Sequence, residues 1–75
     1  MNDHLELDLY LEEDESVNLY IHLKDKSLIA FNGVNASPVR LNGIWTISYE
    51  FIGRRATGLV PSEDVVYFTI VEENP

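Results

Sequence analysis

Cysteine is absent from the 75-residue chain, which also contains only one tryptophan, one methionine and three prolines. The lack of cysteine excludes disulfides, zinc ribbons, iron–sulfur clusters and thiol chemistry. No apolar run extends beyond a few residues, whereas a membrane-spanning helix needs about 20. TIM barrels, dinucleotide-binding domains and kinases need much longer chains, so we expect a single domain over residues 1–75 without those activities.

Basic residues are scarce, since five lysines and arginines stand against thirteen aspartates and glutamates and give a net charge of −8. Residues 1–25 carry eight acids and one base, residues 26–60 one acid and four bases, and residues 61–75 four acids. The negative net charge disfavours direct binding to nucleic acid or to an anionic membrane and favours a basic partner. The first residues, Met-Asn-Asp-His, lack the basic start and apolar middle of a signal peptide, so we expect a cytoplasmic protein.

Apolar and polar residues alternate in residues 4–11 and again in residues 17–24, and this period of two predicts two half-buried strands. The charged segment between them, residues 12–16, has a length that suits a hairpin loop. With Leu11 opposite Val17, the predicted register keeps both apolar rows on one face. The outward pairs are then Glu6 with His22, Asp8 with Tyr20, and His4 with Lys24.

Further strands are predicted from apolar runs. Residues 28–31 and 65–71 are apolar on both faces, which is typical of a covered strand or of one that offers a face to a partner. Residues 44–52 alternate, and one face of this strand is the expected centre of the core. That face carries Trp45, Ile47, Tyr49 and Phe51.

Turn residues separate these strands. After a short strand at residues 39–41, Asn42-Gly43 predicts a type I′ hairpin turn. Residues 32–38 and 53–58 have the composition of loops, and residues 59–64 form a connection in which one short helical turn is possible. We therefore predict an all-β fold, a small antiparallel sheet or partly closed barrel of about five strands with little or no helix.

Catalytic motifs are missing, because the chain has no G-x-G-x-x-G, no P-loop and no H-E-x-x-H. A serine nucleophile needs a histidine base, but the only histidines, His4 and His22, lie on the solvent side of the predicted first hairpin. The same face gathers Glu6 and Asp8, and imidazole and carboxylate groups are acceptable zinc or nickel ligands. Without a third histidine, a solvated face is the favoured alternative, so we predict no enzyme activity, cofactor or metal site.

The acidic surface is the most informative feature of the sequence. Four carboxylates follow one another at residues 12–15, and Glu6 and Asp8 lie two residues apart on the same predicted hairpin. On a strand this separation is about 6.6 Å, comparable to the spacing of phosphates along a nucleic-acid strand. Such a hairpin is suited to compete for a site lined by Lys and Arg. Alternatively, these acids only keep a small sheet soluble and prevent its edges from associating.

Arg54 and Arg55 form a basic pair in an otherwise acidic chain. They either pair with Glu63, Asp64 and the tail acids Glu72 and Glu73, or reach an anionic group on a partner. Outward tyrosines beside the acids suit a binding surface, although they also pack on strands without any partner. The candidate partner-binding residues are Glu6, Asp8, Tyr10, Glu12, Glu13, Asp14, Glu15, Tyr20, Arg54 and Arg55.

In size and charge the whole chain resembles the small inhibitors that phages and mobile elements use against host defence, such as anti-CRISPR proteins and DNA mimics, although it shares no motif with them. The resemblance implies an inhibitor that acts in the host cytoplasm and blocks a basic, nucleic-acid-binding site on a larger protein. One alternative is an immunity or antitoxin protein that neutralises a basic nuclease. Another is a self-associating structural subunit that buries Ile29, Phe31 and the outer face of residues 65–71. We expect a monomer or a homodimer.

Overall fold

A computed structural model describes residues 4–72. These residues form seven β-strands and one short 3-10 helix, Ser62–Asp64, and they contain no α-helix. They likewise contain no helix with the length and apolar character needed to cross a membrane. The strands are β1 (Leu5–Glu6), β2 (Val17–Leu23), β3 (Leu28–Val34), β4 (Val39–Leu41), β5 (Ile44–Phe51), β6 (Arg54–Pro61) and β7 (Val65–Glu72).

The strands belong to two antiparallel sheets, a four-stranded sheet in the order β1-β4-β5-β6 and a three-stranded sheet in the order β3-β2-β7. The all-β prediction is confirmed. Residues 4–72 differ from the expected arrangement in having seven strands, rather than about five, and in dividing them between two sheets. Facing sheets of this kind bury one side of each strand against the other sheet.

The core lies between the two sheets. Trp45 of β5 meets Phe68 of β7 edge to face, with ring centroids 5.0 Å apart, and Phe31 of β3 meets Tyr49 of β5 at 4.8 Å. Such edge-to-face aromatic pairs add stability beyond the area they bury. The alternation in the sequence therefore identified the inner faces of β2 and β5, except at Phe51, which was expected in the core but is 58% exposed at the end of β5. The buried hydrophobic residues of the core are Val17, Leu19, Ile21, Phe31, Val34, Trp45, Ile47 and Val60.

Two hairpins of the four-stranded sheet have tight turns. Asn42 and Gly43 have φ values of 54° and 76°, the positive angles that the predicted type I′ turn requires. The β5–β6 turn repeats this geometry at Ile52 and Gly53, with φ values of 50° and 71°. The prediction of an exposed loop at residues 53–58 is therefore wrong, because this segment begins β6, which pairs with β5 along its whole length.

The predicted first hairpin is also wrong. β1 pairs with β4, placing Glu6 opposite Val39, while β2 pairs with β3 and β7. Beyond Glu6 the chain runs beside the residues that precede β4 and not beside β2. The Leu7 N–H donates to the Pro38 carbonyl at 2.9 Å, and the Leu9 N–H donates to Ser37 Oγ at 3.1 Å. The leucines at 7, 9 and 11 still pack on the core, so the alternation identified their faces without identifying their partner.

β3 is longer than the sequence predicts and is covered on its inner face. It continues through Asn32-Gly33 to Val34, which is buried opposite Val17. Phe31 is buried and Ile29 is half-buried against the core. Phe31 is therefore not available to the self-association surface that the sequence suggested, whereas Ile29 keeps part of its side chain exposed.

Candidate functional site

Residues 12–15, which we call the acidic turn, form an exposed reverse turn closed by its own groups. The Glu15 N–H donates to the Glu12 carbonyl at 3.0 Å, and the Glu12 N–H donates to Glu15 Oε1 at 2.8 Å. Asp14 takes a φ of 69°, a left-handed conformation that aspartate tolerates better than most residues. All four residues are exposed. Because the Glu15 carboxylate closes the turn, Glu12, Glu13 and Asp14 keep their carboxylates for solvent or a partner.

A groove lies directly beside the acidic turn, and we call it the acidic groove. Its carboxylates come from three separate places in the chain, namely Asp8, Glu15 and Glu72. Its apolar lining includes Leu9 and Leu11, both half-buried, together with Ile70 of β7. Tyr10 also lines the groove and is 94% exposed. Glu15 belongs to both the turn and the groove, so the two features form one continuous surface.

Strand pairing explains why these residues meet. β7 runs antiparallel to β2 with Glu72 opposite Val17, which places the end of β7 beside the point where the chain leaves the acidic turn. On the other side, the hydrogen bond from Leu9 to Ser37 fixes the segment that carries Asp8 and Tyr10. The groove is therefore the open end of the sandwich, bounded by β7 and by the chain that leads into the acidic turn.

The chemistry of this surface suits a basic side chain. Lysine and arginine combine an apolar stem with a charged end, and the groove combines an apolar lining with carboxylates. A carboxylate accepts charge-assisted hydrogen bonds from a guanidinium, and an exposed tyrosine ring such as that of Tyr10 attracts a cation to its face. Among residues 4–72 no group of three or more His, Cys, Asp or Glu side chains is arranged to hold a metal ion.

The row of carboxylates expected along a strand is not present. Glu6 is exposed on β1 at the edge of the four-stranded sheet, whereas Asp8 lies beyond the end of that strand. The two acids therefore do not both lie on one strand, contrary to the sequence prediction. Asp8 instead lines the acidic groove. It therefore still belongs to an acidic surface, but its acidic neighbours there are Glu15 and Glu72.

Tyr20 and His22 lie on the outer face of the three-stranded sheet, away from Tyr10 and the acidic turn. Tyr20 is opposite Thr69 on β7. His22 stacks on Tyr67 with ring centroids 3.9 Å apart, and its Nε2 is 2.8 Å from Thr69 Oγ1. Glu6 belongs to the other sheet, so the cluster of His4, Glu6, Asp8 and His22 considered as metal ligands is not assembled.

Arg54 and Arg55 are exposed at the start of β6. Arg55 lies opposite Glu50, and its Nη1 donates to the Gly33 carbonyl at 3.5 Å. Pairing with Glu63 or Asp64 is excluded, because these acids follow the other end of β6, about 20 Å away along an extended strand. Glu73 lies outside the described residues.

Arg55 nevertheless belongs to the same end of the sandwich as the acidic turn. Its contact, Gly33, precedes Val34, and Val34 pairs with Val17, the first residue of β2 after that turn. The structure thus brings together Asp8, Tyr10 and residues 12–15, with the arginine pair at the same end. It leaves Glu6 on the edge of one sheet and Tyr20 on the outer face of the other.

Glu72 and Ile70 are site residues that the sequence did not single out. Both depend on the pairing of β7 with β2, two strands separated by most of the chain. The matching lengths and apolar character of these two strands were the available signal. No family model, curated protein or solved structure matches the chain, so the acidic turn and groove are identified from their geometry and chemistry.

Proposed function

We propose that this protein is a small acidic binding protein that occupies a basic, nucleic-acid-binding site on a larger protein and so blocks that site. One observation carries the proposal: the exposed acidic turn and the acidic groove share Glu15 and form a single surface. In that surface several carboxylates, an apolar lining and the exposed Tyr10 line one groove.

Electrostatic complementarity would bring the partners together and set their orientation. A site that binds phosphates presents Lys and Arg side chains, and clustered carboxylates satisfy the same donors. The carboxylates of the acidic turn would take the place of phosphates, while the groove would hold one basic side chain by its stem and its charged end. Because these contacts are made between charges near solvent, we expect binding to weaken as salt is added.

A charge-reversal variant tests the proposal without altering the turn. E12K/E13K removes two carboxylates that the turn does not use and keeps the Glu15 carboxylate that closes it. The matched control is E63K/D64K, which makes the same change in charge in the 3-10 helix. Wild type and both variants are immobilised, and host lysate is passed over each at low and high salt.

We expect one basic protein to be retained by wild type and E63K/D64K, lost from E12K/E13K, and released by high salt and by duplex DNA. Equal retention by E12K/E13K would contradict the role of the acidic turn. Retention that duplex DNA does not compete with would contradict the blocked nucleic-acid site. Recovery of a nuclease that the protein silences would favour the immunity or antitoxin alternative, which uses the same electrostatics.

A further inference from the structure

A hollow of about 310 Å³ lies on the outer face of the three-stranded sheet, where β2 ends and β7 begins. Its lining includes Lys24, Lys26, His22 and Tyr67, and we call it the basic hollow. The two lysines are two of the five basic residues in the chain, and none of the described residues that line the hollow carries a carboxylate. The hollow is at the opposite end of β2 from the acidic turn, about 20 Å away along the strand.

The acids closest to these lysines are engaged elsewhere. Asp25 Oδ1 accepts hydrogen bonds from the Ser27 N–H at 2.9 Å and from the Ser27 hydroxyl at 2.5 Å. Asp25 and Asp64 line a separate hollow, which they share with Lys24 and not with Lys26. Because its charged lining residues are lysines, the basic hollow favours an anion as its ligand.

The backbone at Lys26 is a second indication of a binding site. Lys26 has a φ of 72°, a left-handed conformation that glycine or asparagine adopts more readily. Its N–H donates to the Leu23 carbonyl at 2.9 Å and closes the turn in this conformation. Backbone outliers of this kind are concentrated at functional sites. Since the Lys26 side chain is exposed, core packing does not explain a lysine here, whereas a charge at the hollow does.

The basic hollow also contains a fixed aromatic surface. The Tyr67 ring stacks on His22, with centroids 3.9 Å apart and planes 12° apart, and His22 Nε2 is 2.8 Å from Thr69 Oγ1. These contacts hold both rings, yet Tyr67 is 54% exposed and the neighbouring Val66 is 58% exposed. A planar aromatic group of a ligand can pack on such a surface without first having to order it.

We propose that the basic hollow binds a nucleoside monophosphate, with the phosphate at Lys24 and Lys26 and the base against Tyr67 and His22. Ammonium groups donate charge-assisted hydrogen bonds to phosphate oxygens, and nucleobases stack on aromatic side chains. The volume of the hollow is at the lower end of the range of ligand sites, about 300–1,000 Å³, and therefore suits a small molecule.

The negative net charge of the chain disfavours a polyanion such as DNA far more than a ligand with one phosphate. A long nucleic acid meets the acids of the whole surface, whereas a mononucleotide meets the charges of the hollow. Exposed acids more than about 8 Å from the phosphate are largely screened at physiological salt.

NMR titration of the nitrogen-15-labelled protein tests the two halves of the ligand separately, with AMP, adenosine and inorganic phosphate as the probes. We expect saturable AMP shifts in the amides of residues 22–27 and 65–68, and binding of adenosine and of phosphate that is at least about tenfold weaker. AMP shifts that do not saturate at these amides would overturn the site. Phosphate or adenosine binding as tightly as AMP would overturn the nucleotide as its ligand.

Neutralising the lysines tests the phosphate contact. K24Q/K26Q removes both charges of the basic hollow at exposed positions, and R54Q/R55Q, the matched control, removes two charges at the start of β6. We expect K24Q/K26Q to bind AMP at least about tenfold more weakly and R54Q/R55Q to bind it as wild type does. Wild-type affinity in K24Q/K26Q, or an equal loss in R54Q/R55Q, would overturn the proposal.

Replacing the ring of the basic hollow tests the contact with the base. Tyr67→Leu removes this ring, and Tyr10→Leu is the matched control, because Tyr10 is exposed in the acidic groove. We expect Y67L to weaken AMP binding by about tenfold and Y10L to leave it unchanged. Circular dichroism checks the fold of each variant. Wild-type AMP affinity in folded Y67L would contradict stacking of the base, and K24Q/K26Q decides the proposal if Y67L does not fold.

Discussion

The ring of Phe31 lies directly against the α-carbon of Gly58, across the space between the two sheets. A Cβ atom added at position 58 would lie 2.5 Å from Phe31 Cε1, far inside normal contact. Phe31 is buried and also meets Tyr49, so its ring has little room to move. Packing therefore requires glycine at position 58, where the Phe31 ring of β3 contacts the backbone of β6.

Gly58→Ala is expected to destabilise the protein by about 1–3 kcal/mol, because the added methyl group overpacks the core. Phe31→Leu removes the ring that the methyl group would strike, so F31L/G58A should be less destabilised than the sum of the two single variants. Urea denaturation measures all three. A G58A variant as stable as wild type would show that the contact is not close in solution.

Ile52→Asn is expected to stabilise the protein by about 1 kcal/mol, because the left-handed conformation costs an ordinary L-residue roughly 1–2 kcal/mol and asparagine less. Ile52 has a φ of 50°, which β-branched side chains rarely adopt, and at 83% exposure it contributes little burial. Asparagine favours this conformation, as Asn42 does in the β4–β5 turn. Asn42→Ile, the reverse change, should destabilise. If denaturation shows that I52N lowers stability, the turn strain is absent.

Acid stability is expected to depend in part on Asp25, in the turn between β2 and β3. Hydrogen bonds from the Ser27 hydroxyl and the Ser27 N–H lower the pKa of the Asp25 carboxyl. A lowered folded-state pKa stabilises the protein above the ordinary aspartate pKa of about 3.9, and this contribution is lost as the pH falls through the folded-state value.

Ser27→Ala removes the larger of these two causes, and Asp25→Asn removes the titrating group. Both variants should therefore show a smaller loss of unfolding free energy between about pH 5 and pH 2 than wild type does. Denaturant unfolding at a series of pH values provides the comparison. Identical pH profiles for wild type and D25N would exclude a contribution from this turn.

Ser37→Ala is expected to loosen the segment that carries Asp8 and Tyr10, because it removes the acceptor of the Leu9 N–H. Loss of one partly buried hydrogen bond costs about 1 kcal/mol. Hydrogen exchange locates the effect: the Leu9 amide should exchange faster, while the Leu7 amide, bonded to the Pro38 carbonyl, should stay protected. Unchanged exchange at Leu9 would show that Ser37 does not hold the segment.

Period-two alternation predicts strands well in this chain where the local turns also agree. The ends of β2, β4, β5 and β7 lie within one residue of their predicted bounds. Asn42-Gly43 forms the tight turn that this dipeptide predicts. β6 is missed because Ile52 is not a residue that signals a tight turn, and because the small and charged residues after it have the composition of a loop. This segment is a strand because it pairs with β5, although its local sequence favours a loop.

The candidate site is harder to predict because it depends on contacts between distant segments. The acidic run at residues 12–15 is visible in the sequence, and so is the outward place of Tyr10. Hairpin pairing of neighbouring strands is the usual default, and here it gives the wrong partner for residues 4–11. Glu72 enters the groove only through the pairing of β7 with β2.

Binding of a basic ligand at the acidic turn and groove is measured most directly by an NMR titration of the nitrogen-15-labelled protein with a hexa-arginine peptide. Wild type should show saturable shifts concentrated in the amides of residues 8–15 and Glu72, and these should shrink as salt is added. E12K/E13K should lose them, and E63K/D64K should keep them. Shifts spread evenly over all exposed acids, including Glu50 and Glu63, or an unchanged response in E12K/E13K, would contradict a binding site at this surface.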